Sequence, residues 1–161
     1  MTTVYLALGS NVGDSRHYVE AAVKQLSKLL KDINKAPLYT SKAVGYTDQA
    51  DFLNTAVSGQ TDLEPLELLK AIKAIEQSIG RVPTFRWGPR EIDIDIIFYG
   101  DLHMETELLT IPHSSCRERD FVLRPICDLN PSLIDPISSQ SVSELLAHID
   151  AQQESILKRV E

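Results

Sequence analysis

An α+β fold of the ferredoxin-like kind, an antiparallel sheet covered by helices, is what the sequence predicts, and three observations predict it. Strand-like and helix-like patterns follow one another over the first hundred residues as strand, helix, strand, strand, helix, strand. Two stretches repeat apolar residues at helical spacing, each with its own start or stop signal. No repeat, linker or low-complexity run divides the 161 residues, so residues 1–161 are expected to form a single domain.

The first strand is the apolar run Val4 to Leu8, which ends at the turn Gly9-Ser10-Asn11. Asp14 or Ser15 then caps a helix whose apolar face is Val19, Ala22, Val23, Leu26, Leu29 and Leu30, ending near Lys31. Ala36 to Val44 reads as a second extended stretch and Phe52 to Thr61 as a third, with a glycine-containing loop from Gly45 to Ala50 between them. Pro65 suits the first turn of a second helix with Leu66, Leu69, Ile72, Ile75 and Ile79 on its apolar face and Gly80 as its stop. A loop from Arg81 to Arg90 leads into the fourth strand, Ile92 to Tyr99. Past Gly100 the pattern weakens to a short strand near Leu108 to Ile111, helical stretches from Arg117 to Leu129 and a final helix from about Val142, a C-terminal helical extension.

Apolar residues at 43% and charged residues at 24% are the balance of an ordinary folded protein. No apolar run approaches the ~20 residues of a membrane-spanning helix, and the N-terminus carries no export signal, so a cytoplasmic location is expected and no membrane partner. Cys116 and Cys127 have no zinc-type spacing and read as reduced thiols. A net charge of −7 speaks against a general nucleic-acid binder, so an anionic ligand would need a local basic cluster.

Such a cluster exists. Asp93 and Asp95 stand two apart in a strand, so both carboxylates emerge on one face while Ile92, Ile94 and Ile96 take the other. Neighbouring carboxylates repel unless a hard cation lies between them, and magnesium accepts one or two carboxylates while keeping water and phosphate oxygens in its other positions. An isolated pair of this kind is more often two solvated acids. Here Arg81, Arg86 and Arg90 precede it in a loop with Trp87, Gly88 and Pro89, and guanidinium forks match phosphate oxygens. Trp87 is suited to core packing or to walling a nucleotide pocket. His113 alone signals nothing, and Gly9 to Asp14 lacks both the dinucleotide and the Walker patterns. From these residues the reading is magnesium-dependent transfer of a phosphate-containing group, a description that palm-type nucleotidyltransferases share.

The run Arg86-Trp87-Gly88-Pro89-Arg90-Glu91-Ile92-Asp93-Ile94-Asp95 closely resembles the signature of the 6-hydroxymethyl-7,8-dihydropterin pyrophosphokinases. Leu8 to Asp14, Phe52-Leu53-Asn54 with Gly45 upstream, Gly80-Arg81-Val82, and Pro112-His113 with Arg119 and Phe121 support it in the family's order. The resemblance implies that Asp93 and Asp95 ligate two Mg2+ ions bridging the ATP phosphates, and that Arg81 and Arg90 contact the phosphates. It places Glu76, Arg86, Trp87, Ile96, His113 and Arg119 around ATP. Phe52 and Phe121 would sandwich the pterin ring, Asn54 would hydrogen-bond it, and Ser41, Val44, Gly45 and Trp87 would complete that pocket. ATP and 6-hydroxymethyl-7,8-dihydropterin are the implied substrates and a monomer is the expected state. The sequence departs from the family's usual residues at Lys42, Phe52, Lys73, Pro83 and Ser114.

Overall fold

The computed structural model describes residues 1–161 throughout. Its strands are β1 (Thr2–Ser10), β2 (Lys31–Lys35), β3 (Tyr39–Ser41), β4 (Phe52–Thr61), β5 (Asp93–Tyr99), β6 (Met104–Glu105), β7 (Thr110–Ile111) and β8 (Ile156–Arg159). Its helices are α1 (Ser15–Leu29), α2 (Pro65–Ile79), α3 (Asp120–Leu129) and α4 (Val142–Ala147). The main sheet runs β5-β1-β4-β3-β8, with β2 also paired to β4, and every pairing is antiparallel. β1 is an interior strand with both its edges taken, Leu8 lying opposite Thr55 on one side and Ile94 on the other.

Alternation along β1 builds two cores. Val4, Leu6 and Leu8 face α1 and α2, where they pack with Val19, Leu26, Leu68 and Ile72. Tyr5 faces the other side with Ile97, Phe98, Val122, Leu123 and Leu145. The expected ferredoxin-like core is therefore present, and the C-terminal extension covers the face that α1 and α2 leave bare. No helix is long and apolar enough to cross a membrane.

Local signals explain the helix limits. The Asp14 carboxylate accepts from the amide of His17 at 3.2 Å and caps α1. Pro65 opens α2, the Glu67 side chain accepts from the Glu64 amide at 3.2 Å, and Gly80 ends the helix at φ 115°. The face of α2 differs from the expectation. Leu68 is fully buried and Leu66 is exposed, because two residues of helix turn a side chain through about 200°.

Two further differences have physical causes. The stretch expected from Ala36 to Val44 is divided: β2 ends before Pro37, which has no amide N–H for a ladder, and β3 begins at Tyr39. β2 itself starts at Lys31, where sequence spacing placed the end of a helix, and Asp32 takes φ 52° where its register with β4 shifts. The chain also ends in a strand rather than a helix, since α4 spans only Val142–Ala147 and β8 returns to pair with β3.

Candidate active site

Asp93 and Asp95 emerge from β5 on the face opposite Ile94 and Ile96, as strand alternation requires. They stand beside two cavities. The first, an open cleft of about 720 Å³, lies over the ends of β1, β3 and β4 and is walled by Ser41, Phe52, Asn54, Trp87 and Phe121, with Arg90 and Arg119 at its charged side. The second, about 680 Å³, lies between α2, β5 and β7 and is walled by Leu69, Lys73, Ile96, Leu109 and Thr110. Asp95 and His113 line both.

In the first cavity the Asn54 amide donates to the Ser41 hydroxyl at 2.7 Å, and both residues are buried. That bond holds one end of the amide and leaves its carbonyl oxygen to a ligand. Arg119 lies over the Phe121 ring at 5.6 Å from its centroid. Val44 is half exposed at the rim.

The arginines are held by acids. Arg81 Nη1 donates to Glu76 Oε2 at 2.7 Å and to Asp93 Oδ1 at 3.2 Å, and Arg90 Nη1 lies 3.2 Å from the same Asp93 oxygen. Arg90 Nε is buried with no partner in the protein, a donor left for a ligand. Glu76 is almost wholly buried and also accepts from the Ile94 amide at 2.8 Å and from Lys73 at 3.2 Å. Glu76, which the resemblance places against ATP, lines neither cavity in this structure and buttresses β5 between the two aspartates. Arg81, Arg86 and Gly45 also stand outside the cavity walls, Arg86 over the Trp87 ring at 4.5 Å.

Burial, and then the neighbouring charge of Asp93, push the Asp95 carboxyl up to about 7. A partly buried carboxylate beside a second one suits a divalent cation, which supplies the missing positive charge. No third His, Cys, Asp or Glu joins the pair, so a cation here would take its remaining ligands from phosphate and water. Burial, reinforced by Arg119, lowers the pKa of His113. Its Nδ1 accepts from the Ser115 amide at 3.2 Å, so the neutral ring carries its proton on Nε2.

Asn11 carries a role that sequence reading missed. Its side chain donates to Gln49 Oε1 at 2.8 Å and to the Ala50 carbonyl at 2.9 Å, and accepts from the Arg90 amide at 2.8 Å. The turn after β1, which reads as a weak anion loop, is a strut joining the loops 45–50 and 81–90. Gln49 Nε2 donates to the Trp87 carbonyl at 2.7 Å, and Tyr46 meets Phe85 edge-to-face at 4.9 Å. The signal available was a buried Asn between Ser10 and a glycine turn, which composition alone does not distinguish from a capping residue.

The profile of the 7,8-dihydro-6-hydroxymethylpterin-pyrophosphokinase (HPPK) family matches residues 5–131. The chain belongs to the HPPK family. It is 44% identical over 144 residues to the 2-amino-4-hydroxy-6-hydroxymethyldihydropteridine pyrophosphokinase of Aquifex aeolicus, covering 89% of this chain and 90% of that protein. The enzyme of the same name from Methylorubrum extorquens is 40% identical over 163 residues, with all of both chains covered. Longer proteins contain the same unit: the folic acid synthesis protein fol1 of Schizosaccharomyces pombe is 41% identical over 150 residues, 92% of this chain and 20% of that one. The HPPK fold is also seen in the crystal structure of wild-type Plasmodium falciparum HPPK-DHPS with pterin and p-hydroxybenzoate, at TM-score 0.70 and 18% identity over 91% of this chain and 41% of that one.

Proposed function

We propose that this HPPK-family chain, acting as one unit over residues 1–161, transfers a pyrophosphoryl group from ATP to the hydroxymethyl group of 6-hydroxymethyl-7,8-dihydropterin and releases AMP, a step of folate biosynthesis. The observation that carries the reading is the position of Asp95 and His113 on the wall common to two cavities, one walled by aromatic rings and a buried amide, the other by aliphatic residues and a lysine. A flat heteroaromatic ring gains from the Phe52 and Phe121 faces, and the Asn54 carbonyl reads its donor edge. Leu69, Ile96 and Leu109 suit a purine base, and a triphosphate running from there toward the first cavity passes the aspartate pair.

The hydroxymethyl oxygen attacks the β-phosphorus in line, the bond from that phosphorus to the oxygen bridging the α-phosphorus breaks, and AMP leaves carrying that oxygen. Residues of the chain supply alignment and countercharge. Arg90 offers its unpartnered Nε–H to phosphate, Arg81 is aimed by Glu76, Arg119 brings a second guanidinium to the first cavity, and neutral His113 donates from Nε2 without adding charge. Two Mg2+ ions held at Asp93 and Asp95 would neutralise phosphate charge and lower the pKa of the attacking hydroxyl.

Incubation with ATP, magnesium and the dihydropterin, with products separated by chromatography and identified by mass, tests the reading. Pterin-dependent AMP with the pterin diphosphate is expected. Pyrophosphate release would indicate nucleotidyl transfer, and ADP or no product from folded protein would also overturn the proposal.

A further inference from the structure

The C-terminal segment lies beyond residues 5–131 matched by the family profile and lines neither cavity, yet it pairs with the strand that carries Ser41 to the first one. β3, which carries Ser41, is only three residues long and is held between β4 and β8, with Ser41 opposite Phe52 on one side and Ile156 on the other. Beyond β3 the Lys42 amide donates to the Ser155 carbonyl at 2.9 Å, and before it the Val160 amide donates to the Leu38 carbonyl at 2.9 Å. Both ends of the short strand thus rest on the C-terminal segment.

That segment is itself fastened by one buried carboxylate. Asp120 accepts from the Ser155 hydroxyl at 2.6 Å, the Ser155 amide at 2.8 Å and the Ile156 amide at 2.9 Å. Three hydrogen bonds compensate the burial of this charge, and bonds to a charged acceptor are about twice as strong as neutral ones. Asp120 stands between Arg119 and Phe121, both of which line the first cavity, at the start of α3. One side chain therefore links the α3 wall of the cavity, through Ser155, to the β3 wall with Ser41 and Lys42. The second cavity, by α2 and β7, shares no residue with this linkage.

We propose that Asp120 and Ser155 form a clamp that sets the spacing of the two walls of the pterin cavity, making Asp120 a positioning residue for pterin binding and β8 a working part of the site. The inference rests on the function proposed above. It predicts that loosening the clamp weakens the pterin more than the nucleotide, whose one contact on the α3 wall is Arg119.

The test compares KM for 6-hydroxymethyl-7,8-dihydropterin and for ATP in wild type, Asp120→Ala, Ser155→Ala and Asp120→Asn, with thermal unfolding of each. Asp120→Ala is expected to raise the pterin KM about tenfold or more, and Ser155→Ala by a smaller factor, with the ATP KM rising several-fold less than the pterin KM in each. Asp120→Asn should recover most of the loss, because its amide oxygen accepts from the two backbone amides and its NH2 donates to the Ser155 hydroxyl. If Asp120→Ala fails to fold, Ser155→Ala gives the same comparison, with Asp120→Asn as its near-wild-type control. A lower Tm with both KM values unchanged, or equal rises in both, would mean that the clamp only supports the fold and would overturn the inference. A wild type that turns over no pterin removes the functional reading and this inference with it, whereas an active wild type matched by all variants removes the clamp alone.

Discussion

Gly45→Ala isolates the packing between the two loops that border the cleft. Gly45 has φ 85°, and a Cβ there would lie 2.6 Å from Cε3 and 2.8 Å from Cδ2 of Trp87. Left-handed backbone costs an alanine about 1–2 kcal/mol, which for a chain of this length lowers Tm by roughly 2–8 °C. The clash adds a local effect, because the ring must move. Trp87 is 47% exposed, so all its neighbours together, the loop 45–50 and Arg86 among them, bury on the order of 100 Å2 of it, a ceiling of about 2.5 kcal/mol at ~25 cal/mol per Å2 for the loop contact. Lost in full, that amount lowers the population of joined loops up to roughly 60-fold. Both apolar cores lie on the sheet faces away from these loops, so the larger effect is local opening rather than global unfolding. Trp87 is the single tryptophan of the chain, so emission and acrylamide quenching report on it alone. Gly45→Ala should shift emission to the red, increase quenching and raise the pterin KM. Wild-type emission, quenching and KM in the variant would refute the reasoning.

Asp95→Ala should reduce AMP formation roughly 100-fold or more with the fold retained by circular dichroism, as expected for charge stabilisation removed at the transferred group, and near-normal turnover would contradict its assigned role. Arg117→Ala removes donors at 2.6 and 3.0 Å from Asp135, leaving a buried carboxylate with its bonds from Ser138 and Ile137. A loss of about 2 kcal/mol is expected, seen as a lower urea midpoint, and an unchanged midpoint would mean the pair is neutral to stability. Burial alone would raise the Asp135 pKa, but the bonds from Arg117 and Ser138 overcome it and hold the carboxyl below the usual range. Asp135 therefore adds stability above its unfolded pKa of about 3.9 and loses that contribution as pH falls through the lower folded value. Asp135→Asn should be less stable at neutral pH and decline less steeply between about pH 5 and 3, and a decline as steep as wild type's would assign the acid sensitivity to other carboxylates.

Much of the fold was legible because local signals and periodicity agreed. β4 runs from Phe52 to Thr61 as the alternation predicts, and Pro65 and Gly80 bracket α2. β8 was not legible, since Ser155 to Val160 carries little alternation and its strand character comes from β3 and from Asp120, both distant in sequence. The candidate site divided in the same way. Strand alternation gave the shared face of Asp93 and Asp95, which is a local property. Ser41, Phe52, Phe121 and His113 are brought to the cleft from four separate segments, and only resemblance to a family joined them beforehand. The burial of Glu76 against Ile94 and Arg81 is likewise a tertiary fact that no spacing on α2 reveals.

The aspartate pair looks symmetric in sequence and is not symmetric in the fold. Asp93 Oδ1 receives both Arg81 and Arg90, so its charge is already met by two guanidinium groups. Asp95, one strand pleat further along, has no ion-pair partner within 4.0 Å and stands partly buried at the wall between the cavities. A positive charge arriving at the pair therefore gains more from Asp95 than from Asp93. A phosphate arriving there gains from arginines that Asp93 and Glu76 hold in place before it binds. The chain's net charge of −7 is compatible with a polyanionic substrate for this reason: Asp93 and Glu76 are spent on aiming cations, Asp95 is left to a cation, and the overall charge does not describe the field inside the cleft.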